Sequence, residues 1–433
     1  MRTVDAAGLK IGDEHPPRIM GVLNVSKESP YDPSVFDDPG EAAEYVDREL
    51  IDEGADIVDV GLESANKRFE VLSADEELER LDTAIETLES VSGDAVFSIE
   101  TRYHEVADAA LARGFDMVND ICGFADPEMP RICEDYDVAV AKMASPPDLT
   151  RPGAVESVDW AAGDAAERER SPSYADDVYD ALSLNGFTDK TIVDPAFGGW
   201  SEDKALADDR ETFRRLREFR GLGYPVLVSI NRKNFLREIA GRTTEEALPV
   251  SLAATSMAVE RGARVIRTHD VEATRDAALV GYEFARSRGG ESVHGSDAGD
   301  VVVEELDVTT TREAERHLER IGAESSSASN DAVVRTFEVS GLSDAAVGQL
   351  SMAAAETGVT VVSNPAAVAG ATADGGEPGP QNAASREGAP GRTVLLFGTP
   401  RGYESLAAPT SGSGDDHGLS AALETIVTVL KSP

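Results

Sequence analysis

Eight short apolar runs recur between residues 18 and 269 of the chain, and amphipathic segments separate them. The runs are Arg18 to Asn24, Asp56 to Gly61, Ala95 to Glu100, Asp116 to Asp120, Val138 to Met143, Thr191 to Asp194, Pro225 to Ser229 and Val265 to His269. They read as buried strands. Between them lie segments such as "PGEAAEYVDRELIDEG" and "RYHEVADAALARG", with helical periodicity and a closing Gly, a common helix stop. Eight strands alternating with helices predict a (β/α)8 TIM barrel, with an open doubly wound sheet as the alternative.

Most of these strands end on a polar residue: Asn24, Asp59, Glu100, Asn119, Lys142, Asp194, and Arg267 with His269. The C-terminal ends of barrel strands face one common mouth, where active sites are built. Polar residues at strand ends also begin solvated loops, but so many together exceed what that reading explains.

The chain of 433 residues can bury a large core and is too long for one small domain. The barrel is assigned to 1–288. Residues 289–300 lie within the Gly- and Ser-rich stretch "RSRGGESVHGSDAGD" and are expected to be a linker. A smaller C-terminal α/β domain is expected over 301–433, with strands at Val301 to Leu306, Arg335 to Val339, Val359 to Val362 and Thr393 to Phe397. The segment 364–391, low in apolar bulk and rich in Gly, Pro and Ala, is expected to be a disordered insertion.

The formal charge is -41, from 81 acidic and 40 basic residues spread along the chain. Such a surface suits high salt, where self-repulsion is screened, so a halophilic setting is expected. It argues against nucleic-acid or anionic-membrane partners, which need clustered Lys and Arg. Cys122 and Cys133 have no Cys-x-x-Cys spacing, which fits a reducing compartment. No apolar run reaches the roughly 18 residues of a membrane span, and the N-terminus lacks a signal-peptide centre. A cytoplasmic protein is expected.

At the mouth, carboxylates and amides stand with Lys, Arg and His. "DVGLES" offers Asp59 and Glu63, "SIETR" offers Glu100, "MVNDICG" offers Asn119 and Asp120, and "TIVDPAFGG" offers Asp194. "VSINRKNF" adds Arg232 and Lys233, and "VIRTHDV" adds Arg267 and His269, two apart and so on one side of an extended strand. Carboxylates and amides suit a heterocycle with several N–H donors, such as a pterin or purine. Arg beside His suits a phosphate or diphosphate.

"IMGVLNVS", "GADIVDVGLES", "SIETRYHEVADAALARGFDMVNDICG", "IVDPAFG", "RKNF" and "RVIRTHDV" together resemble dihydropteroate synthase, the pterin-binding barrel family of folate biosynthesis, over residues 18 to 285. The resemblance implies that Glu100, Asn119, Met143, Asp194 and Lys233 hold the pterin, with Glu100 where the family usually has Asp. It implies that Asn24, Arg267 and His269 take the diphosphate, that Asn24 helps bind Mg2+, and that Asp59 and Glu63 support the site. Lys233, Arg267 and His269 are then the candidate catalytic residues. The implied reaction joins 6-hydroxymethyl-7,8-dihydropterin diphosphate to 4-aminobenzoate, and the implied assembly is a homodimer. No Gly-x-Ser-x-Gly motif or paired Cys and His offers a strong nucleophile, and the reaction requires none.

The departures lie on loops. The family's Thr-Arg-Pro after "GLES" is Ala65, Asn66 and Lys67 here, and its first loop is rewritten from Ser26 to Pro30. Lys142 stands at a His position of the fifth strand and Gly199 at a Phe position. Lys27, Lys67 or Lys142 is a candidate to replace the lost Arg. The alternatives are a pterin-dependent methyltransferase, a pterin-binding homologue without synthase activity, and a synthase with another acceptor. "RTFEVSGLSDAAVGQLSMAAAETGVTVV" and "VLLFGTPRGYESLA" look like the accessory α/β module of long archaeal and thermophilic forms, expected to serve packing or dimerisation.

Overall fold

The computed structural model describes residues 1–26, 34–63, 71–144, 174–198, 205–285, 290–295, 299–304, 306–323, 328–363, 392–408 and 417–430. Lys27, Ala65, Asn66, Lys67, Gly199 and the insertion 364–391 lie outside them. The chain divides into two compact units, Met1–Asp307 and Val308–Pro433.

The first unit opens with a hairpin, β1 (Val4–Ala6) and β2 (Leu9–Ile11). Eight parallel strands follow: β3 (Arg18–Asn24), β4 (Ile57–Gly61), β5 (Val96–Thr101), β6 (Met117–Asp120), β7 (Ala139–Met143), β8 (Thr191–Asp194), β9 (Val226–Val228) and β10 (Ala263–Thr268). Because β10 bonds to both β9 and β3, the sheet closes into a barrel and has no edge. The helices that return the chain are α1 (Pro39–Tyr45), α2 (Ala74–Ser90), α3 (His104–Leu111), α4 (Met129–Asp135), α5 (Tyr174–Ser183), α6 (Leu206–Arg214), α7 (Asn234–Ala240), α8 (Leu248–Glu260) and α9 (Val271–Glu283). Their starts follow capping chemistry where the sequence supplies it. Ser73 and Glu76 form a reciprocal capping box on α2, and Asp38 accepts from the backbone N–H of Glu41 on α1.

Side chains alternate between two cores, as the period of two in a strand demands. Met20, Ile57, Met117, Ala141, Ile192 and Val265 fill the barrel interior. Leu23, Val58, Ile99, Val118, Val140 and Val193 pack outward against the helices. Val4, Ala6 and Ile11 of the hairpin join the interior cluster and plug the N-terminal end, so the barrel opens only toward the strand C-termini. Full burial of a Val or Ile here contributes about 1.5–3 kcal/mol. The hairpin's three-residue strands are too short to show in the sequence pattern.

One further difference concerns residues 289–304. Where a linker and then the first strand of the second domain were expected, β11 (Gly290–Gly295) and β12 (Gly299–Glu304) pair antiparallel with each other, within the first unit. Val301, Val302 and Val303 favour extended backbone, as expected, but their partners precede them in the chain.

The second unit is a three-stranded antiparallel sheet with β15 (Arg392–Gly398) between β13 (Arg335–Leu342) and β14 (Thr360–Ser363). Among the described residues, four α-helices accompany it: α10 (Thr311–Arg320), α11 (Asp344–Ala354), α12 (Pro400–Ala407) and α13 (His417–Leu430). Its own core gathers Leu342, Leu350, Val394, Leu396, Tyr403 and Ile426.

Candidate active site at the barrel mouth

Strand register decides which polar residues meet. Asn24 pairs with Gly61, Gly61 with Glu100, and Glu100 with Asn119, while Met143 pairs with Asp194. Each of these shares the parity of the interior residues on its own strand, so all face inward at the open end. Asp59, level with Val22, stands one step deeper on β4, and Arg267, level with Met20, stands deeper still on β10.

A hydrogen-bonded network forms the floor. Asp59 is fully buried; its Oδ2 accepts from Asn119 Nδ2 at 3.0 Å and from Arg267 Nε at 2.7 Å. Arg267 Nη2 donates to Glu100 Oε2 at 2.6 Å. Burial alone would disfavour the guanidinium's charge, but Glu100 and Asp59 outweigh it and hold Arg267 above the usual Arg range. Burial pushes the Glu100 carboxyl up, with Arg267 opposing and Asp59 reinforcing the rise.

Asp194 is also buried, and its Oδ1 accepts from Ala196 N at 2.8 Å. That bond holds Ala196 at φ 59°, a left-handed conformation that a non-Gly residue adopts only when held. Lys233 approaches from the start of α7. A Cβ at Gly198 would lie 3.1 Å from Lys233 Nζ, so the glycine lets the amine rest against the backbone of the loop after β8. Met143 is buried among the core residues at the top of β7.

On the opposite rim, Asn24 Nδ2 donates to Ser34 Oγ at 3.0 Å, and Ser34 Oγ lies 3.3 Å from His269 Nδ1. Ser34 reaches this place because the chain returns beside β3 through a bridge between Asn24 and Val35. Ser34 carries no signal in the sequence, since no local pattern places Val35 beside Asn24. His269 also departs from its expected role as a cation. Burial, then Arg267 and Lys233, push its imidazole down to about 3, so it is neutral near pH 7. Its NMR ring resonances in the ligand-free protein are therefore expected to stay constant from pH 5 to 8. A titration near the ordinary value of about 6.5 would overturn this.

Two sequence expectations are corrected here. Lys142 has the wrong parity for the mouth: Ala139, Ala141 and Met143 point inward, so Lys142 points out. It is fully buried and donates to the carbonyls of Leu182 at 3.0 Å and Gly186 at 2.7 Å and to that of Leu184. It thus caps the C-terminus of α5 between the rings of Phe124 and Phe187, and burial lowers it to about 8. It cannot replace a lost arginine at the mouth. Lys142→Ala is expected to destabilise the protein by about 1–3 kcal/mol by stranding those carbonyls, with turnover changed less than about twofold. Urea unfolding and a rate assay on the same sample check both parts.

Arg232 is likewise withdrawn from the mouth. It stands at φ 52°, grips both oxygens of Asp270 at 2.8 Å, and donates to the carbonyls of Thr244 and Glu245. It acts as a strut that fixes the backbone just before Lys233. Glu63, expected as a support, accepts from Arg102 Nη2 at 2.7 Å, with both side chains buried. Arg102 follows Thr101 in "SIETR" and was overlooked; an Arg ending a strand beside "GLES" was the available signal.

Carboxylates, amides and cations thus converge at the open end of the barrel. The sequence profile of the family described as pterin binding enzyme matches residues 20–269. The chain belongs to that family. A Haloferax volcanii protein named a probable bifunctional folylpolyglutamate synthase/dihydropteroate synthase is 33% identical over 264 residues, 58% of this chain and 29% of that protein. The chain thus spans less than a third of that relative's length. The Bacillus subtilis dihydropteroate synthase is 29% identical over 259 residues, 59% of this chain and 84% of that protein. A solved dihydropteroate synthase from Coxiella burnetii, in complex with pteroic acid, covers 66% of this chain and 99% of its own, with 27% identity and a TM-score of 0.52.

Proposed function

We propose that the chain is a dihydropteroate synthase. The observation that carries the proposal is the inward set of Glu100, Asn119 and Asp194, with Arg267 beneath Glu100 and Lys233 beside the loop after β8, at the open end of a barrel matched by the pterin-binding family over residues 20–269. Asn119 and Asp194 present acceptors to the ring N–H groups of a pterin, and Lys233 donates to its carbonyl. Met143 lines the apolar face of the ring. The amine of 4-aminobenzoate attacks the exocyclic carbon, a C–N bond forms, the C–O bond to diphosphate breaks, and the amine's proton passes to solvent. No protein nucleophile takes part. The chain's work is to hold the ring, to orient the leaving group and to offset the charge that develops on it.

For the diphosphate, Arg267 supplies the permanent charge. His269, neutral before binding, donates or accepts a hydrogen bond according to its tautomer. Asn24 suits Mg2+. A Cβ at Gly61 would sit 3.1 Å from Asn24 Oδ1 and 3.8 Å from Glu100 Oε1, so the glycine keeps a cradle open beside a neutral oxygen donor. Mg2+ is commonly held by one or two protein oxygens together with substrate phosphates. When bound, it would neutralise charge on the leaving diphosphate. Elsewhere, His104, Glu105 and Asp126 bring ligand atoms within 4.8 Å of one another at the start of α3, but Asp126 already accepts from the ring and the backbone N–H of His104.

The setting inferred from the charge of -41 is a high-salt cytoplasm. No helix among the described residues is long and apolar enough to cross a membrane. A homodimer would cover Met257, Val280 and Phe284, which are exposed on α8 and at the end of α9, and sedimentation checks it. The functional proposal is tested by calorimetry in high KCl with Mg2+. Expected is binding of the pterin diphosphate first, then of 4-aminobenzoate only to the loaded protein or its product complex. Binding of the pterin with no response to any aromatic amine would favour a homologue without synthase activity, the reading that Ala65 and Asn66 in place of a hydroxyl and a guanidinium support.

A further inference from the structure

Arg267 enters the mouth already engaged. Its Nε is on Asp59 at 2.7 Å and its Nη2 on Glu100 at 2.6 Å, so two of its donor positions are committed to carboxylates before any ligand arrives. The two partners differ in what they are for. Asp59 is fully buried and also holds Asn119, so it belongs to the floor. Glu100 is 12% exposed and holds only Arg267 among the described residues, across the mouth from β10. Its second oxygen, Oε1, faces the Gly61 cradle beside Asn24.

The geometry of the mouth points the same way. Asp59 and Glu100 both hold Arg267, so the guanidinium best placed to receive an arriving anion is already occupied.

We infer that Glu100 is a positioning residue that competes with the anionic group of the ligand for Arg267, and so sets how tightly the site binds diphosphate. The identity of that anion rests on the functional reading above. With the anion absent, Glu100 keeps Arg267 folded onto the floor; with it present, Nη2 turns from Glu100 to an anion oxygen. The length of the side chain matters. One methylene fewer withdraws the carboxylate from Nη2, so an Asp at this position frees the guanidinium where Glu holds it.

The test uses the whole chain and inorganic diphosphate as the probe, titrated calorimetrically at fixed high KCl with EDTA present to remove divalent cations. Glu100→Gln is expected to bind diphosphate about tenfold tighter than the parent, about 1.4 kcal/mol, and Glu100→Asp by an intermediate factor. In the Arg267→Ala background the Gln substitution is expected to give less than a twofold gain, which identifies Arg267 as the partner rather than the general field. Glu100→Gln keeps an acceptor oxygen, and near-UV circular dichroism checks that each variant is folded. Two results would overturn the inference: Glu100→Gln binding diphosphate no tighter than the parent, or its gain persisting without Arg267. The titration involves neither acceptor nor turnover. A chain that shows the gain yet forms no pteroate would reject the synthase reading and leave the competition standing.

Discussion

Asp194→Ala is expected to weaken binding of the pterin at least about a hundredfold, about 3 kcal/mol. Asp194 sits at the end of β8 with Oδ1 already spent on the backbone N–H of Ala196. A heterocycle with adjacent N–H donors therefore meets a carboxylate whose position is fixed from below, and a charge-assisted bond to it is about twice as strong as a neutral one. The alanine variant also releases the turn that holds Ala196 at φ 59°. Asp194→Asn separates these effects, because its carbonyl still accepts from Ala196 while its charge is gone. The asparagine variant is expected to keep the parent's unfolding midpoint and to lose most of the affinity, read by titrating a pterin against intrinsic fluorescence. An alanine variant that binds within threefold of the parent would move the pterin site away from β8.

The second large effect is on stability. Asp59→Ala is expected to destabilise the barrel by about 3–5 kcal/mol, the range for breaking a buried pair by removing one partner. Asp59 is fully buried and its Oδ2 is the common acceptor for Asn119 and Arg267, so its removal strands two donors at once. Arg267 would keep only Glu100. Urea unfolding at fixed high KCl measures the loss as a shift in midpoint at constant slope. A loss below about 1 kcal/mol would mean that water replaces Asp59 as the acceptor and that the floor is more open than the geometry gives.

How far the sequence carries is clearest strand by strand. All eight barrel strands lie where the apolar runs put them, because strands covered on both faces are written as nearly continuous apolar segments. The inward set of Asn24, Glu100, Asn119 and Asp194 was legible because strand ends in a barrel share one mouth. Lys142 shows the limit of reading ends without counting parity. It ends on the helix side because its neighbour Met143 takes the inward place. The Ser34 contact with Asn24 and His269 was not legible, since it depends on a loop returning to its own strand. Nor was the hairpin plug, whose three-residue strands are too short to carry a periodic signal. The partners of Arg267 were hidden for another reason. Asp59 and Glu100 sit on the adjacent strands β4 and β5, but Arg267 comes from β10, far along the chain, and only barrel closure brings it to them.

The neutral state of His269 follows from the same closure. Read alone, "RTHD" offers two cations and an anion; folded, Asp270 turns to Arg232 and Asn231 while Arg267 raises the cost of a second charge beside it. A site assembled in this way begins with its cations balanced by its own carboxylates. Substrate anions must then displace internal partners, which gives a physical reason for diphosphate affinity to depend on Glu100.

The most direct test of the synthase reading is product formation by the purified chain in high KCl with Mg2+, 6-hydroxymethyl-7,8-dihydropterin diphosphate and 4-aminobenzoate, followed by chromatography and mass spectrometry. Expected are 7,8-dihydropteroate and diphosphate in equal amounts, with diphosphate release that stops when 4-aminobenzoate is omitted. Tight binding of the pterin diphosphate with no pteroate formed would contradict it.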